Sequence, residues 1–470
     1  MNILIVGNGF DLSHYLPTKY DHFMVAMDAI ENWDEAKGDM GFDDLFGSLY
    51  ETGAYFFGYT KAMYDPDKIK ISLEQIKELK AKLKENVWYQ YFSEHVREVK
   101  TWIDFETKIK DALEIAGQFF DAIDIYKKTN NFLGWDFLAF LKKNKNGFNL
   151  SQKNIRVLEL LKLLKVNYSY YDEEKNEHIE NLFYFNEWTS CNVEFLENLL
   201  KKYKGYNEFQ FTKATKNLIE SLNKFSLLFN YYINLISMQI IDPKINIENL
   251  FKEQIDKVYS FNYTSTFKKN YDINVDCYYL HGEAKTIKPK IILGVSEIKE
   301  ELLKKYNFWG FTKYHQKLFF DTDFQFLEEY LVQMDDLRKE VNLTEKFWLS
   351  RASNGQGSVK FINQKIKNVL DENSLNLNFY IWGHSLDISD EIYIKEVFSF
   401  NEPYDCLVRV IIYFFNEQAK FDLLANLIHI LGKEKVEKWM KKSWLKFEPN
   451  PDIAKLNNIE PVELPKLAEA

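Results

Sequence analysis

Cysteine is scarce in this sequence. The 470 residues include only Cys191, Cys277 and Cys406, which lie far apart and form no Cys-x-x-Cys pair. This spacing excludes a disulfide framework and a four-cysteine zinc module. Scattered single cysteines are typical of proteins kept in a reducing compartment, so we expect a cytoplasmic location.

Glycine, proline and long hydrophobic runs are also scarce. With 18 glycines and nine prolines, the chain is neither fibrous nor of low complexity. Its first residues show no basic stretch and no small-residue cleavage site, so no targeting segment is predicted. The best membrane candidate, residues 225–241, is uncharged but interrupted by Ser, Asn and Gln. Its apolar residues repeat every three or four positions, which predicts a buried helix and no membrane contact.

An excess of positive charge is absent as well. There are 60 basic and 70 acidic residues, which gives a formal net charge of −10. This charge argues against non-specific binding of nucleic acid. Lys77, Lys80, Lys82 and Lys84 offer the material for a basic groove, but their pattern is more typical of a solvated helix face. Nucleic acid is therefore a disfavoured partner.

The composition is that of a folded globular protein, with 46% hydrophobic and 28% charged residues. Several runs of strand length are rich in β-branched and aromatic residues, as in parallel strands buried on both faces. The sequence therefore predicts an α/β fold with a doubly wound parallel sheet. The runs are residues 2–6, 257–261, 276–280, 290–295, 377–382 and 407–415.

Three parts of the chain are predicted. Residues 1–30 and 250–415 form a discontinuous core that contains the sheet. Residues 31–249 show the 3.6-residue period of helices and few strands, which predicts a large inserted helical domain. Residues 416–470 are predicted to form C-terminal helices and an extended tail, because four of the nine prolines fall in the last 22 residues.

The first polar loop follows the first predicted strand and contains Gly7, Asn8, Gly9 and Asp11. Glycines at a strand-to-helix turn let backbone amides approach a phosphate. The loop lacks the Gly-x-Gly-x-x-Gly fingerprint of dinucleotide-binding proteins. A glycine turn after a strand is also often only a turn, so this loop alone does not decide a function.

Asn262, Thr264 and His281 follow two later strands. The amide of Asn262 can hold a ribose hydroxyl or a water, or it can cap the next helix. His281 precedes a glycine and is a candidate general base, although a single histidine is often structural. The eight histidines show no ligand spacing, so no metal site is predicted.

The fourth polar loop contains Gly383, His384, Ser385 and Asp387. Its glycine allows close approach, Ser385 and the backbone amides suit a phosphate or ribose, and Asp387 is predicted to cap a helix. It is not the Gly-x-Ser-x-Gly elbow of hydrolases. Because ligands bind at the carboxyl ends of strands in open α/β sheets, we expect the four loops to converge on one site.

These loops lie in stretches that resemble the AbiH family of phage abortive-infection proteins, which is similar to the sirtuin-like NAD-binding superfamily. The stretch WIDFE at residues 102–106 also resembles the family, without an evident role. The stretches that carry the resemblance are GNGFDLSHYLPTKYDHF at 7–23, SFNYTSTF at 260–267, LHGEA at 280–284 and YIWGHSLDISD at 380–390.

The resemblance implies a sirtuin-like core of Rossmann type and a role for each loop. It implies that the loop at residues 7–11 holds the phosphates and ribose of NAD, with Thr264 nearby. Asn262 matches the catalytic asparagine and His281 the catalytic histidine of the sirtuin-like pattern. Gly383 and Ser385 match the later nucleotide-binding loop, and its AbiH version includes His384 and Asp387.

The departures from sirtuins argue against protein deacetylation. The zinc module is missing, and Pro17, Thr18, Lys19 and Tyr20 stand where sirtuins have an arginine. The resemblance therefore implies an anti-phage effector that hydrolyses the nicotinamide–ribose bond of NAD, with NAD as substrate or ligand and no required cofactor. The alternatives are a nucleotide-binding sensor without hydrolysis and a toxin that targets nucleic acid. The expected partners are NAD or a related nucleotide and either a second copy of the chain or a companion defence protein.

Overall fold

The computed structural model describes most of the chain. The described residues are 1–95, 102–130, 151–172, 177–180, 190–195, 197–203, 206–239, 254–296, 298–322, 326–352 and 359–465.

Helices and strands both occur along the whole length. The described strands are β1 (Asn2–Val6), β2 (Met40–Gly41), β3 (Lys70–Ile71), β4 (Leu164–Asp172), β5 (Glu177–Glu180), β6 (Ser190–Phe195), β7 (Leu200–Tyr203), β8 (Tyr206–Phe209), β9 (Lys257–Ser260), β10 (Asp276–Tyr279), β11 (Asn378–Trp382), β12 (Arg409–Phe414) and β13 (Leu445–Pro449). The described α-helices are α1 (Asn8–Ser13), α2 (Tyr20–Glu31), α3 (Phe42–Phe46), α4 (Tyr50–Met63), α5 (Leu73–Glu85), α6 (Val87–His95), α7 (Trp102–Asn130), α8 (Gln152–Leu160), α9 (Phe211–Gln239), α10 (Thr266–Asn270), α11 (Glu300–Tyr306), α12 (Lys313–Phe320), α13 (Glu328–Ala352), α14 (Val359–Asn373), α15 (Glu391–Val397), α16 (Glu417–Leu431), α17 (Lys433–Lys441) and α18 (Ile453–Leu456). Short 3₁₀-helices lie at Glu35–Lys37, Gly47–Leu49, Pro66–Lys68, Glu197–Leu199, Phe308–Phe311 and Ile388–Asp390.

A six-stranded sheet organises the fold. Its strand order is β10-β9-β1-β11-β12-β13, and every neighbouring pair is parallel. The chain adds β9 and β10 on one side of β1 and then β11, β12 and β13 on the other. The order therefore reverses between β1 and β11, and such a reversal opens a crevice at the carboxyl ends of the strands. The α/β fold with a parallel sheet predicted from the sequence is confirmed.

The first strand is buried on both faces, as its unbroken apolar sequence predicts. Successive side chains of a strand point to opposite faces. Ile3 and Ile5 pack with the apolar side chains of α13 to α17, whereas Leu4 and Val6 pack with the helices between residues 20 and 235. The same strand thus anchors both halves of the hydrophobic core.

The region between β1 and β9 is mainly helical, but it contains more strands than the sequence predicted. β4 pairs antiparallel with β5 and β6, and β7 pairs with β8. The sequence of β4 alternates with a period of two, but it is flanked by helical patterns, which obscured it. The predicted helical face of α9 is confirmed, because Leu218, Leu222, Phe225, Phe229 and Tyr232 are all buried.

No described helix is long and apolar enough to cross a membrane. The predicted boundaries between the core, the insertion and the C-terminal part stay predictions.

One predicted strand of the sheet is wrong. Residues 290–295 are extended loop, with only a single bridge between Val295 and Thr312. The side chain of Gln316 accepts from the Leu293 amide at 3.0 Å and donates to the Leu293 carbonyl at 2.9 Å. A side chain thus takes the hydrogen bonds that a neighbouring strand would make.

The sixth strand of the sheet, β13, was not predicted. It lies at the edge and pairs only with β12, and of its five residues only Leu445 is buried. An edge strand needs no continuous apolar run, so its sequence carries little signal.

Two glycine turns pack backbone against backbone where β1 and β11 end. The Gly9 amide donates to the Gly383 carbonyl at 2.8 Å, and the Gly7 amide donates to the Trp382 carbonyl at 3.1 Å. Gly383 has φ +70°, and a Cβ there would lie 2.0 Å from the Phe10 nitrogen. These glycines therefore serve the contact between the two loops.

We expect Gly383→Ala to lower the free energy of unfolding more than Gly432→Ala. Gly432 also has a positive φ, +82°, but a Cβ at this position would have nothing within 4 Å. Gly432→Ala therefore reports the cost of the unfavourable positive-φ backbone alone, about 2 kcal/mol. Gly383→Ala adds a clash between two backbones, for a total of about 3 kcal/mol or more. Urea denaturation measures both, and equal losses would show that the loops can separate freely.

Candidate functional site

The polar loops predicted from the sequence meet at the carboxyl edge of the sheet. They follow β1, β9, β10 and β11, which are consecutive in the order β10-β9-β1-β11. Parallel strands end at the same edge, so adjacency in the sheet brings residues together that lie far apart in the sequence. The predicted convergence is confirmed for Asn262, His281 and His384, all of which are buried at this edge.

Asn262 ties the end of β9 to the first glycine loop. Its side chain is 5% exposed, and its Nδ2 donates to the Gly7 carbonyl at 2.8 Å. Its backbone amide donates to Oγ of Ser260 at 3.1 Å. The amide side chain thus fixes the loop after β1.

Asp11 is buried beside Thr264. Oγ1 of Thr264 donates to Oδ2 of Asp11 at 2.7 Å, while Oδ1 of Asp11 has no hydrogen-bond partner. Burial raises the pKa of Asp11 to about 6, although the nearby hydroxyls of Thr266 and Thr264 oppose this shift. The hydrogen bond between Asp11 and Thr264 therefore satisfies a buried polar group of each residue.

The centre of the site is Asp390, which lies between two histidines. Its Oδ1 is 3.5 Å from Nε2 of His281, and its Oδ2 is 3.5 Å from Nε2 of His384. Nδ1 of His384 accepts from the Leu386 amide at 2.9 Å. In neutral His384 the proton therefore sits on Nε2 and faces Asp390. No sequence pattern marked Asp390, although it is the last residue of the fourth motif stretch.

Phe261 packs between the two histidines. Its ring centroid lies 4.2 Å from that of His384 and 5.2 Å from that of His281, with near-perpendicular rings in both pairs. The rings are thereby held with their edges toward Asp390.

The charges of this cluster are set by burial and by neighbouring groups. Burial lowers the pKa of His281 to about 3, Lys317 adds to the shift, and Asp390 opposes it. Burial alone would raise the pKa of Asp390, but His281, His384 and Lys313 outweigh it and hold the pKa well below its usual value. At neutral pH the site therefore contains a neutral His281 imidazole beside an ionised carboxylate.

Two buried lysines from one helix complete the cluster. Lys313 of α12 forms an ion pair with Glu106 at 2.5 Å, and Nζ of Lys317 donates to the hydroxyl of Tyr393 at 2.5 Å. Burial raises the pKa of Glu106 to about 7 against the opposing charge of Lys313. Glu106 belongs to the WIDFE stretch, which thus supplies a carboxylate to the site from the inserted region. No sequence pattern marked Lys313 or Lys317.

The other predicted residues lie at the rim of the site. Asn8 is half-buried and Ser385 is exposed. Oδ1 of Asp387 accepts from the Ser389 amide at 2.9 Å and caps the 3₁₀-helix that ends at Asp390, as the sequence predicted for this residue. The roles of all the predicted residues toward a ligand stay predictions.

In the described ranges no group of three or more His, Cys, Asp or Glu side chains is arranged to hold a metal ion. The lysines of α5 form the solvated face that the sequence favoured. Lys77 pairs with Glu35 at 3.5 Å, and Lys82 pairs with Glu78 at 2.6 Å. Paired, exposed lysines give no support to a basic groove.

Comparison with protein families gives a match that covers nearly the whole chain. The family described as "Bacteriophage abortive infection AbiH" matches residues 3–411. The chain belongs to the AbiH family. Its role is therefore anti-phage defence by abortive infection. Comparison with curated proteins and with solved structures gives no significant match.

The matched span of this AbiH protein includes the inserted region and the strands β1, β9, β10 and β11 of the sheet, and it ends within β12. Glu106, Lys313 and Asp390 all fall within residues 3–411. The family thus extends over every residue of the buried cluster, including the carboxylate that comes from the insertion.

We expect Asp11→Asn to change the pH dependence of stability. The folded protein binds the Asp11 proton more tightly, with a pKa of about 6, than the unfolded chain does at 3.8. The contribution of Asp11 to the free energy of unfolding is therefore complete below pH 3.8 and is lost as the pH rises through 6. The shift corresponds to about 3 kcal/mol. The unfolding free energy of the wild type relative to Asp11→Asn should fall by this amount between those pH values.

Asp371→Asn is the matched control, because Asp371 is exposed on α14. Its difference from the wild type should stay constant over the same pH range. The free energies of unfolding of the wild type and Asp11→Asn are measured by urea denaturation at each pH. If the two values change in parallel with pH, the raised pKa of Asp11 is contradicted.

Proposed function

We propose that this AbiH protein acts in abortive infection by hydrolysing the nicotinamide–ribose bond of NAD or a closely related nucleotide. The observation that carries the proposal is the buried, ionised Asp390 between His281 and His384. His384 and Asp390 follow β11, beside the point where the strand order reverses, which is the position of ligand sites in open α/β sheets. His281 reaches Asp390 from the end of β10.

The strand order supports a nucleotide ligand. Numbered along the chain, the six parallel strands follow the order 3-2-1-4-5-6. This is the order of doubly wound dinucleotide-binding sheets, in which the loop after the first strand contacts the pyrophosphate. It supports the sirtuin-like, Rossmann-type core that the motif resemblance implies.

In the proposed reaction, water attacks the ribose carbon that carries nicotinamide. The new bond joins the water oxygen to this carbon, and the carbon–nitrogen bond breaks with its electron pair going to nicotinamide. The water proton moves to His281, and the Asp390 carboxylate stabilises the imidazolium that forms. The products are nicotinamide, the ADP-ribose part and a proton that His281 later releases.

The low pKa of His281 places a condition on this chemistry. A general base works best with a pKa near the working pH, and about 3 is too low for an efficient base. The 3.5 Å separation from Asp390 is also long for a hydrogen bond. In unliganded enzymes such contacts often tighten only when substrate binds. We infer that substrate binding shortens this contact and raises the pKa of His281.

The remaining polar groups would bind the substrate. Asn8 and Ser385 are accessible enough to hydrogen-bond phosphates or ribose. Asn262 would act chiefly by positioning the first loop, because its amide is already bonded to the Gly7 carbonyl.

A nucleotide-binding sensor without hydrolysis is the second candidate. It is favoured by the same two features, the bonded amide of Asn262 and the low pKa of His281. Such a sensor would bind a nucleotide at the strand ends and release no nicotinamide.

We expect purified protein to release nicotinamide from NAD, and His281→Ala and Asp390→Asn each to lower the rate at least about 100-fold by removing the base or its partner. Nicotinamide is measured by liquid chromatography, with circular dichroism to confirm that the variants fold. Lys367→Ala, on the exposed face of α14, is the control and should keep the wild-type rate.

Binding of NAD without release, weakened by the same substitutions, would favour the sensor. If NAD neither binds nor raises the melting temperature of the protein, the NAD proposal is wrong.

A further inference from the structure

A separate cavity of about 690 Å³ lies along the edge strand β10. Its walls come from β10, from the loop after it and from the start of the segment that follows α12. This volume is in the range of sites that hold a nucleotide-sized molecule. Its lining is Lys268, Cys277, Tyr278, Tyr279, Leu280, Gly282, Glu283, Lys285, Lys288, Lys290, Asp321, Thr322 and Phe326.

The lining is strongly basic for an acidic protein. Four lysines face two carboxylates, an excess of two positive charges in a chain whose net charge is −10. Lys285 pairs with Glu283 at 2.6 Å, and Nζ of Lys290 donates to the Phe320 carbonyl at 2.7 Å. Within the described part of the chain, Lys268 and Lys288 form no ion pair. Their ammonium groups are therefore free to neutralise an anionic ligand.

One wall of the cavity is aromatic and firmly supported. Tyr278 stacks on Tyr259 with ring centroids 5.2 Å apart, and Phe326 meets the same ring edge-on at 5.0 Å. Tyr259 is buried in β9. A planar base can therefore lie against aromatic side chains that are held in place from behind.

The cavity is distinct from the cluster around Asp390. Leu280 and Gly282 line it, whereas His281 between them points to Asp390 on the other side. The shared turn is tight, because a Cβ on Gly282 would lie 1.7 Å from the Lys290 carbonyl oxygen. The Ile292 amide also donates to the His281 carbonyl at 3.0 Å. A ligand in the cavity would thus contact the same short segment that holds His281.

We propose that this cavity binds a nucleoside polyphosphate, with the base against Tyr278 and the phosphates on Lys268 and Lys288. A simpler anion would bind the unpaired lysines, but it would use neither the aromatic wall nor the nucleotide-sized volume of the cavity. The proposal does not depend on hydrolysis of NAD.

The test is isothermal titration calorimetry of the full chain with ATP, tripolyphosphate and adenosine. We expect saturable binding of ATP with a Kd below about 1 mM. Tripolyphosphate, which lacks the base, should bind at least about 10-fold more weakly, and adenosine should not bind. Equal affinity for tripolyphosphate and ATP would overturn the role of the aromatic wall.

Charge reversal locates the site. Lys268→Glu/Lys288→Glu should weaken ATP binding more than about 10-fold, because two attractive charges become repulsive. Lys367→Glu/Lys433→Glu changes the net charge equally at exposed positions on α14 and α17 and should leave the affinity within about twofold. The single variant Lys288→Ala, at an exposed loop position, should weaken binding even if the double variant fails to fold.

Asp390→Asn separates this proposal from the proposed function. It should retain ATP binding while it removes nicotinamide release. Absence of ATP binding to the wild type, or equal binding by the wild type and both lysine variants, would overturn the proposal and leave the NAD hydrolysis intact.

Discussion

The burial of the Asp390 carboxylate is the constraint on which the site depends. An ionised carboxylate that leaves water costs several kcal/mol unless other groups compensate it. Here the compensation comes from His281 at the end of β10, His384 at the end of β11 and the buried Lys313 of α12. Lys313 is in turn neutralised by Glu106 from the inserted region. One buried charge therefore links both sides of the sheet and the insertion.

The glycine turns provide the backbone geometry that this cluster requires. The contact between Gly9 and Gly383 brings the loop after β11 against the loop after β1. Asn262 fixes the loop after β1 from the other side through its bond to the Gly7 carbonyl. These glycines are therefore occupied by loop packing, whereas a phosphate-binding loop uses its glycines to approach a ligand. Phosphate binding in this protein must rely more on accessible side chains than on the glycine turn alone.

The sequence predicted the convergence of loops but not the charges at its centre. Strand-length apolar runs and the polar residues after them place Asn262, His281 and His384 at one edge, because the carboxyl ends of parallel strands all lie at the same edge of a sheet. Asp390, Lys313 and Glu106 escaped prediction because their contacts cross from one element to another over long sequence distances. The false strand at 290–295 has the same origin, since the side chain of Gln316 replaces a strand partner that no local pattern reveals.

If the cluster around Asp390 hydrolyses NAD, as we propose, infection should lower the NAD content of the cell. This is tested by mass spectrometry of NAD in infected cells over the course of infection. The cells express the wild type, Asp390→Asn or the exposed control Asp371→Asn. We expect NAD to fall after infection in cells that express the wild type or the control, whereas cells that express Asp390→Asn keep their NAD and lose protection. Protection by the wild type at unchanged NAD would contradict the proposal.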